Sequence, residues 1–234
     1  MASVGAAVKH PQRFLRSAAR LPLEQAAAAR IAELPVVEVT DVIPSGTHEI
    51  SVVGPETRHG WSLGLAEQLI LQLIVRARNC ESVFEIGTFN GGTTLILAES
   101  LPDHGRVWTL DLDPAAFDAS QAPADFHRRE VGTAYRGSPV ARKITQLLGN
   151  SLTYDFSSYR QSADLVLVDG GHEYEHGYSD TRNALEIAKP GAIVVWDDFE
   201  PYWHGLVNGI CDAMEGRRLG RLAGTSLAVH VIDD

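Results

Sequence analysis

Asp169, Asp197 and Asp198 are the residues whose types and spacing say most about chemistry. Asp169 ends the apolar run DLVLVD, and Asp197 ends AIVVWD one helix and one strand later. If the two runs are neighbouring strands, their carboxylates meet at one end of a sheet. Clustered carboxylates repel unless they are protonated or share a cation. An all-oxygen ligand set favours magnesium, manganese or calcium over zinc. The bland alternative is that Asp197 merely ends a strand and Asp198 caps the next segment.

A rival metal signature lies beside Asp169. His172-Glu173-Tyr174-Glu175-His176 matches H-E-x-x-H, in which two histidines one helical turn apart bind zinc and the glutamate acts as base. That chemistry needs both histidines inside one helix. Here His172 follows Asp169-Gly170-Gly171 directly, at the mouth of the next helix. His176 is expected to face water, because positions 179, 180 and 183 are Ser, Asp and Asn. The zinc-protease reading is therefore disfavoured. A histidine at the mouth of a helix, near a dication, stays neutral and can act as a general base. The bland alternative is a capping histidine. His204, just after the strand that ends at Asp197, is the rival base.

A third group of candidates follows the apolar run SVFEI. Glu85-Ile86-Gly87-Thr88-Phe89-Asn90-Gly91-Gly92-Thr93 is a glycine-rich turn leading into the helical segment TTLILAES. Glycines let a backbone approach a ligand, and the helix that follows offers free N–H groups. The spacing G-x-x-x-G-G is not the G-x-G-x-x-G of dinucleotide binding and makes no cradle for a pyrophosphate. Further on, VWTLDLDP ends a strand with Asp111, an acid that can accept both hydroxyls of a ribose. Asn150-Ser151 follows a third strand and could contact a base, although a turn would also use an asparagine there.

The elements that must position these residues alternate along the chain. Strands are expected at 82–86, 106–111, 143–148, 164–169, 192–197 and 226–232. Helices are expected at about 62–78, 93–100, 173–189 and 203–215. Such alternation predicts an α/β fold with a doubly wound, mostly parallel sheet covered by helices on both faces. Ligands then bind beyond the carboxyl ends of the strands, where the acids lie. Residues 1–35 read as helix, stopped by Pro35, and 36–60 as loops. The chain divides into an N-terminal helical extension with cap loops (1–60) and a catalytic domain (61–234).

Composition narrows the function classes. The 234 residues carry a formal net charge of −10. An acidic surface repels phosphate, so no nucleic-acid partner is expected. No segment is long and apolar enough for a membrane span. Cys80 and Cys211 form no C-x-x-C pattern, which fits a reducing, cytoplasmic setting. Lys9, Arg13, Arg16 and Arg20 give the first residues the look of a transit peptide. The alanine-rich continuation favours a basic helix packed on the body or on a second subunit, as in a homodimer.

The segments VFEIGTFNGGTT, VWTLDLDP, GNS, DLVLVDGGHEYEHGYSDTRNAL and KPGAIVVWDDF together resemble the class I S-adenosylmethionine-dependent methyltransferases. The likeness covers about residues 62–234. It is closest to bacterial macrocin-type small-molecule O-methyltransferases and extends to the catechol type. The resemblance implies a Rossmann-like, seven-stranded sheet with an antiparallel last strand, GRLAGTSLAVHVI supplying the final hairpin. It places Glu85, Gly87 and Thr93 at the methionine end of S-adenosylmethionine, with Thr88, Asn90, Gly91 and Asp169 as further cofactor-binding residues. It gives Asp111 to the ribose and Asn150 and Ser151 to the adenine. It assigns a divalent ion, Mg2+ first, to Asp169, Asp197 and Asp198. His172 stands where the catechol type has a lysine base. The implied reaction is methylation of a hydroxyl on a small molecule, a sugar or natural product. Alternatives on the same fold are a metal-independent N- or C-methyltransferase and a cofactor-binding partner protein without activity.

Overall fold

A computed structural model describes residues 11–46, 48–50, 63–114 and 131–233, and of 11–18 the backbone alone. One sheet contains β1 (Val36–Val37), β2 (Ser82–Ile86), β3 (Arg106–Asp111), β4 (Ile144–Leu148), β5 (Ala163–Val168), β6 (Ala188–Trp196), β7 (Gly220–Leu222) and β8 (Ala228–Val231). Their order is β1-β7-β8-β6-β5-β2-β3-β4. Every pairing is parallel except those of β8, which runs antiparallel to β6 and β7. The final hairpin is thus as expected, but the sheet has eight strands rather than seven. The extra one pairs Val36 and Val37 with Arg221 and Leu222 at the edge. Two valines show no alternation from which a strand could be read.

Among the described residues, six α-helices flank the sheet: α1 (Pro11–Glu33), α2 (Val39–Val42), α3 (Leu65–Ala77), α4 (Gly92–Ser100), α5 (Tyr174–Ile187) and α6 (His204–Ala213). The central strands alternate between two cores. Phe84, Ile86, Val166 and Val194 pack with α1, α5 and α6. Val83, Leu165, Leu167 and Ile193 pack with α3 and α4 on the other face. Burial on both faces explains why β5 and β6 read as nearly unbroken apolar runs. Lys189-Pro190-Gly191 at the start of β6 costs little, because the β5–β6 register shifts there.

The N-terminal helix packs on the body. Ala27 and Ile31 enter the first core. Arg30 donates to Asn208 Oδ1 at 3.0 Å and to Asp212 Oδ1 at 2.5 Å on α6. Residues 51–61 and 115–130 lie outside the described residues. So does Ser62, the first residue of the helix expected at about 62–78. The N-cap of α3 is Gly64, whose N–H donates to Glu67 Oε2 at 2.9 Å.

α5 and α6 touch backbone to backbone. A Cβ on Gly209 would collide with the Tyr174 carbonyl and lie 2.6 Å from the Tyr178 nitrogen; one on Gly177 would lie 2.5 Å from the Leu206 carbonyl oxygen. Alanine normally favours a helix by about 1 kcal/mol over glycine. Gly209→Ala should do the reverse here and lose about 1–3 kcal/mol through overpacking. Urea unfolding measures the sign directly.

Candidate active site

Gly87 brings the ends of β2 and β5 together. Its φ is +102°. A side chain there would run into the carbonyl of Asp169, with the carbonyl carbon only 2.5 Å away. Glycine is therefore required on two counts. The turn beyond it is held by Asp111. Its Oδ2 accepts the N–H of Thr88 at 3.0 Å and of Phe89 at 2.6 Å, and its Oδ1 that of Leu112 at 2.6 Å. The acid read as a ribose ligand thus also fixes the glycine turn, while lone pairs remain for a diol. Asn90 folds back to accept from the Gly92 N–H at 2.9 Å. Gly91, at φ +84°, begins α4 against the Tyr135 ring. Thr93 lies half-buried in the first turn of α4.

Glu85 sits beneath this turn, fully buried. A hydrogen-bonded chain reaches it across three strands. Tyr135 Oη donates to Gln146 Oε1 at 2.6 Å, and Gln146 Nε2 donates to Thr88 Oγ1 at 3.0 Å. Thr88 and Thr109 hydroxyls are 2.6 Å apart, and Thr109 and Thr94 each donate to Glu85 Oε2 at 2.5 Å. The other oxygen, Oε1, is buried without a partner among the described residues. Burial pushes the Glu85 carboxyl up to about 7, although the two threonine hydroxyls pull it back. Asn150 is exposed in the turn after β4, its Oδ1 accepting the Leu152 N–H at 2.9 Å, and Ser151 is half-buried beside it.

Asp169, Asp197 and Asp198 meet as the spacing implied. Each offers a carboxylate oxygen within 4.8 Å of the other two. The backbone arranges this: the Asp169 N–H donates to the Ile86 carbonyl at 2.8 Å and the Asp197 N–H to the Val168 carbonyl at 3.0 Å. Asp198 adopts a left-handed conformation, φ 54°, which aspartate tolerates better than most residues. Burial and the charges of Asp197 and Asp198 hold Asp169 well above the usual carboxylate range. Burial and Asp198 raise Asp197 to about 7. Oxygen donors alone, this close and this short of compensating cations, suit a hard divalent ion.

His172 joins this cluster, and His204 does not. His172 Nε2 lies 2.8 Å from Asp198 Oδ2. Its ring stacks on Trp203 with centroids 3.8 Å apart. Its carbonyl accepts the Leu206 N–H of α6 at 3.0 Å. His204 opens α6, and no hydrogen bond ties it to the three aspartates among the described residues. His176 corrects an expectation. It is half-buried, packed on Gly171, with Nδ1 buried and without a hydrogen bond among the described residues. The opening of α5 carries it over the Gly170-Gly171 turn instead of into water. The two histidines of H-E-x-x-H do not share a helix, since α5 begins at Tyr174.

Residues that the sequence left unassigned complete the site. Glu67 Oε1 accepts from the Ser226 N–H at 3.0 Å and from its hydroxyl at 2.6 Å, and the same hydroxyl lies 3.1 Å from Asp197 Oδ1. In the sequence Glu67 only interrupts an apolar stretch. That interruption, an acid followed by a glutamine on a buried stripe, was the available signal.

Residues 84–199 match a family model described as a methyltransferase domain. Among curated proteins the chain is similar to caffeoyl-CoA O-methyltransferase 2 of Petunia hybrida, 21% identical over 159 residues, covering 67% of this chain and 62% of that protein. The chain thus spans about three fifths of the length of that relative. Among solved structures, the O-methyltransferase TomG from Streptomyces achromogenes, in complex with SAM, superposes with a TM-score of 0.57 at 18% identity, covering 74% of this chain and 82% of that one. An O-methyltransferase from Bacillus cereus in complex with SAH gives a TM-score of 0.53 at 17% identity, covering 92% and 90%. At these identities the superpositions speak for the fold. No helix among the described residues is long and apolar enough to cross a membrane.

The cluster makes stability depend on pH in a definite direction. An unfolded aspartate ionises near about 3.9, whereas Asp197 holds its proton to about 7. A raised carboxyl binds its proton more tightly in the folded state. Stability is therefore lost as pH climbs from the unfolded value towards the folded one, and the loss is complete above it. With chelator present, Asp197→Asn should be more stable than the parent by about 2–4 kcal/mol at pH 8, the gap shrinking towards pH 5. Urea titrations showing a pH-independent gap would contradict this account.

Proposed function

We infer, from its place among the class I S-adenosylmethionine-dependent methyltransferases, that the chain methylates a hydroxyl group of a small molecule, a sugar or natural product. The observation that carries the reading is the bond between His172 Nε2 and Asp198 Oδ2, because it sets a base beside the three-carboxylate cluster and at the end of the strand next to the glycine turn. The methyl donor is consumed in each turnover. Its sulfonium and amino groups are cationic and its ribose is a diol, so acidic strand ends suit it. The glycine turn admits it closely, and Asp111 offers lone pairs to the ribose. Methyl transfer is an in-line displacement: the S–C bond breaks as the O–C bond forms, and the hydroxyl proton must leave. The chain's tasks are therefore alignment, exclusion of water and removal of that proton.

The donor set fits Mg2+ or a similar ion, which Asp169, Asp197 and Asp198 would hold. Such an ion lowers the pKa of a nearby hydroxyl. With Nε2–H directed at Asp198, His172 has Nδ1 free to accept the proton. Trp203 covers one face of the imidazole and fixes its plane. The caffeoyl-CoA relatives make catechols one acceptor class to assay beside sugars.

Turnover with S-adenosylmethionine and a panel of catechols and sugars tests the reading. Exhaustive chelation should abolish methyl transfer, and Mg2+ should restore it. His172→Ala should lower turnover by about 10²–10⁴-fold, the usual worth of a positioned base, with little change in affinity for the donor. Transfer that survives chelation, with nitrogen or carbon as the accepting atom, would favour the metal-independent alternative. A variant within a few-fold of the parent, in an assay limited by chemistry, would remove His172 from the mechanism.

A further inference from the structure

Glu67 is an acid to which the mechanism above gives no task. It stands half-buried in the first turn of α3, where its Oε2 accepts the Gly64 N–H at 2.9 Å. A capping acid needs no more than that one oxygen. Its Oε1 instead reaches across 159 positions of sequence to Ser226, accepting the N–H at 3.0 Å and the hydroxyl at 2.6 Å. Ser226 lies in the hairpin turn between β7 and β8. That turn is held by its own bonds: the Thr225 hydroxyl donates to the Leu222 carbonyl at 2.9 Å and accepts the Leu227 N–H at 3.0 Å. From there Ser226 also meets the carboxylate cluster. Its hydroxyl lies 3.1 Å from Asp197 Oδ1, and its carbonyl accepts the Phe199 N–H at 2.8 Å. Every polar group of Ser226 is therefore engaged. Its N–H and hydroxyl face Glu67, while its hydroxyl and carbonyl face the segment 197–199, which carries two of the three clustered aspartates.

We propose that Glu67 and Ser226 are positioning residues that set how tightly Asp169, Asp197 and Asp198 hold a divalent ion, Glu67 acting through Ser226 on Asp197. The inference rests on the ion-site reading above. A serine hydroxyl has one proton to donate. Glu67 can release it, because the Ser226 and Gly64 N–H groups still serve both of its oxygens. The hydroxyl then donates to Asp197 Oδ1 and fixes the rotation of that carboxylate. A ligand held in place beforehand loses less freedom when an ion arrives. Groups that hydrogen-bond to metal ligands are accordingly worth about 10–100-fold in metal affinity. The Ser226 N–H bond to Glu67 meanwhile keeps the hydroxyl aimed. Glu67 thus holds Ser226, and Ser226 holds Asp197. A side chain at the start of α3 sets the affinity of a cluster to which it does not itself belong.

The test titrates Mn2+ into the full chain by calorimetry, without methyl donor, so that the readout is binding and not turnover. Ser226→Ala deletes one oxygen and keeps the backbone bond to Glu67; it should weaken Mn2+ binding by at least about tenfold. Ser226→Thr keeps the hydroxyl and should stay within about threefold of the parent. Glu67→Ala should weaken binding as much as Ser226→Ala does. The Glu67→Ala, Ser226→Ala double variant should match either single one, as two parts of one unit do. Glu67→Gln removes the charge but keeps an acceptor oxygen, and should also stay within about threefold. Affinity for S-adenosylhomocysteine, measured alongside, should be the same in every variant. If Glu67→Ala does not fold, the Ala and Thr variants of Ser226 decide the point. Mn2+ binding by Ser226→Ala close to that of the parent would overturn the proposal. Glu67→Gln as weak as Glu67→Ala would reduce the effect to bare charge and overturn the positioning role. Equal losses of Mn2+ and S-adenosylhomocysteine would make Glu67 and Ser226 merely structural and overturn it too. A parent that binds no Mn2+ would instead overturn the ion-site reading and this proposal together.

Discussion

Mutual repulsion among five carboxylates is the constraint on which the rest of the molecule depends. Asp197, Asp169, Glu85 and Asp111 lie at the ends of the four adjacent strands β6, β5, β2 and β3, with Asp198 beside Asp197. Asp169 feels all of the others, and its proton is held accordingly. Left ionised and bare, such a group would push the strand ends apart. The structure answers with different devices at each position. Three backbone N–H groups neutralise Asp111. Two threonine hydroxyls serve Glu85. Ser226 faces Asp197, and His172 faces Asp198. No cation among the described residues pairs with Asp169. The demand for positive charge is therefore concentrated at one place, between Asp169, Asp197 and Asp198.

The same strand ends are kept in register by backbone contacts that admit no side chain. Gly87 lets β2 press on Asp169. Gly177, Gly205 and Gly209 let α6 press on α5 and on the His172 carbonyl. Through them the position of His172 is coupled to α6, and through α6 to the N-terminal helix. Arg20 extends that coupling. It donates to the Tyr202 carbonyl at 2.8 Å and covers the Tyr202 ring at 4.3 Å. Tyr202 meets Trp203 edge-on at 4.7 Å, and Trp203 stacks on His172. The N-terminal helix thus supports the wall behind the proposed base, a role that amphipathic patterning alone does not disclose.

Much of this was legible in the sequence because it depends on period and position. Buried runs such as DLVLVD and AIVVWD mark parallel central strands, and an acid closing each run must lie at the sheet's carboxyl end. The convergence of Asp169 with Asp197 follows from one helix and one strand. What could not be read depends on contacts between distant segments. Val36–Val37 is a strand only because Arg221 and Leu222 offer an edge. Glu67 belongs to the site only because the β7–β8 hairpin brings Ser226 to it. His176 is half-buried because Gly171 has no side chain to keep its ring away. Each of these is a tertiary effect overriding a local pattern.

The tautomer of His172 links the two halves of the proposed chemistry. On the proposed reading Asp198 accepts from Nε2–H across the 2.8 Å contact, which leaves Nδ1 as the basic nitrogen. On the proposed reading, the acceptor hydroxyl approaches the Nδ1 edge while Asp198 also faces the ion site. Proton uptake at Nδ1 makes the ring a cation, and that cation sits against Asp198, which stabilises it as the transfer proceeds. On that reading, a carboxylate shared between the proposed base and the proposed ion site does two things at once: it orients the imidazole beforehand and compensates its charge afterwards. Asp198 holds this place with a left-handed backbone, φ 54°.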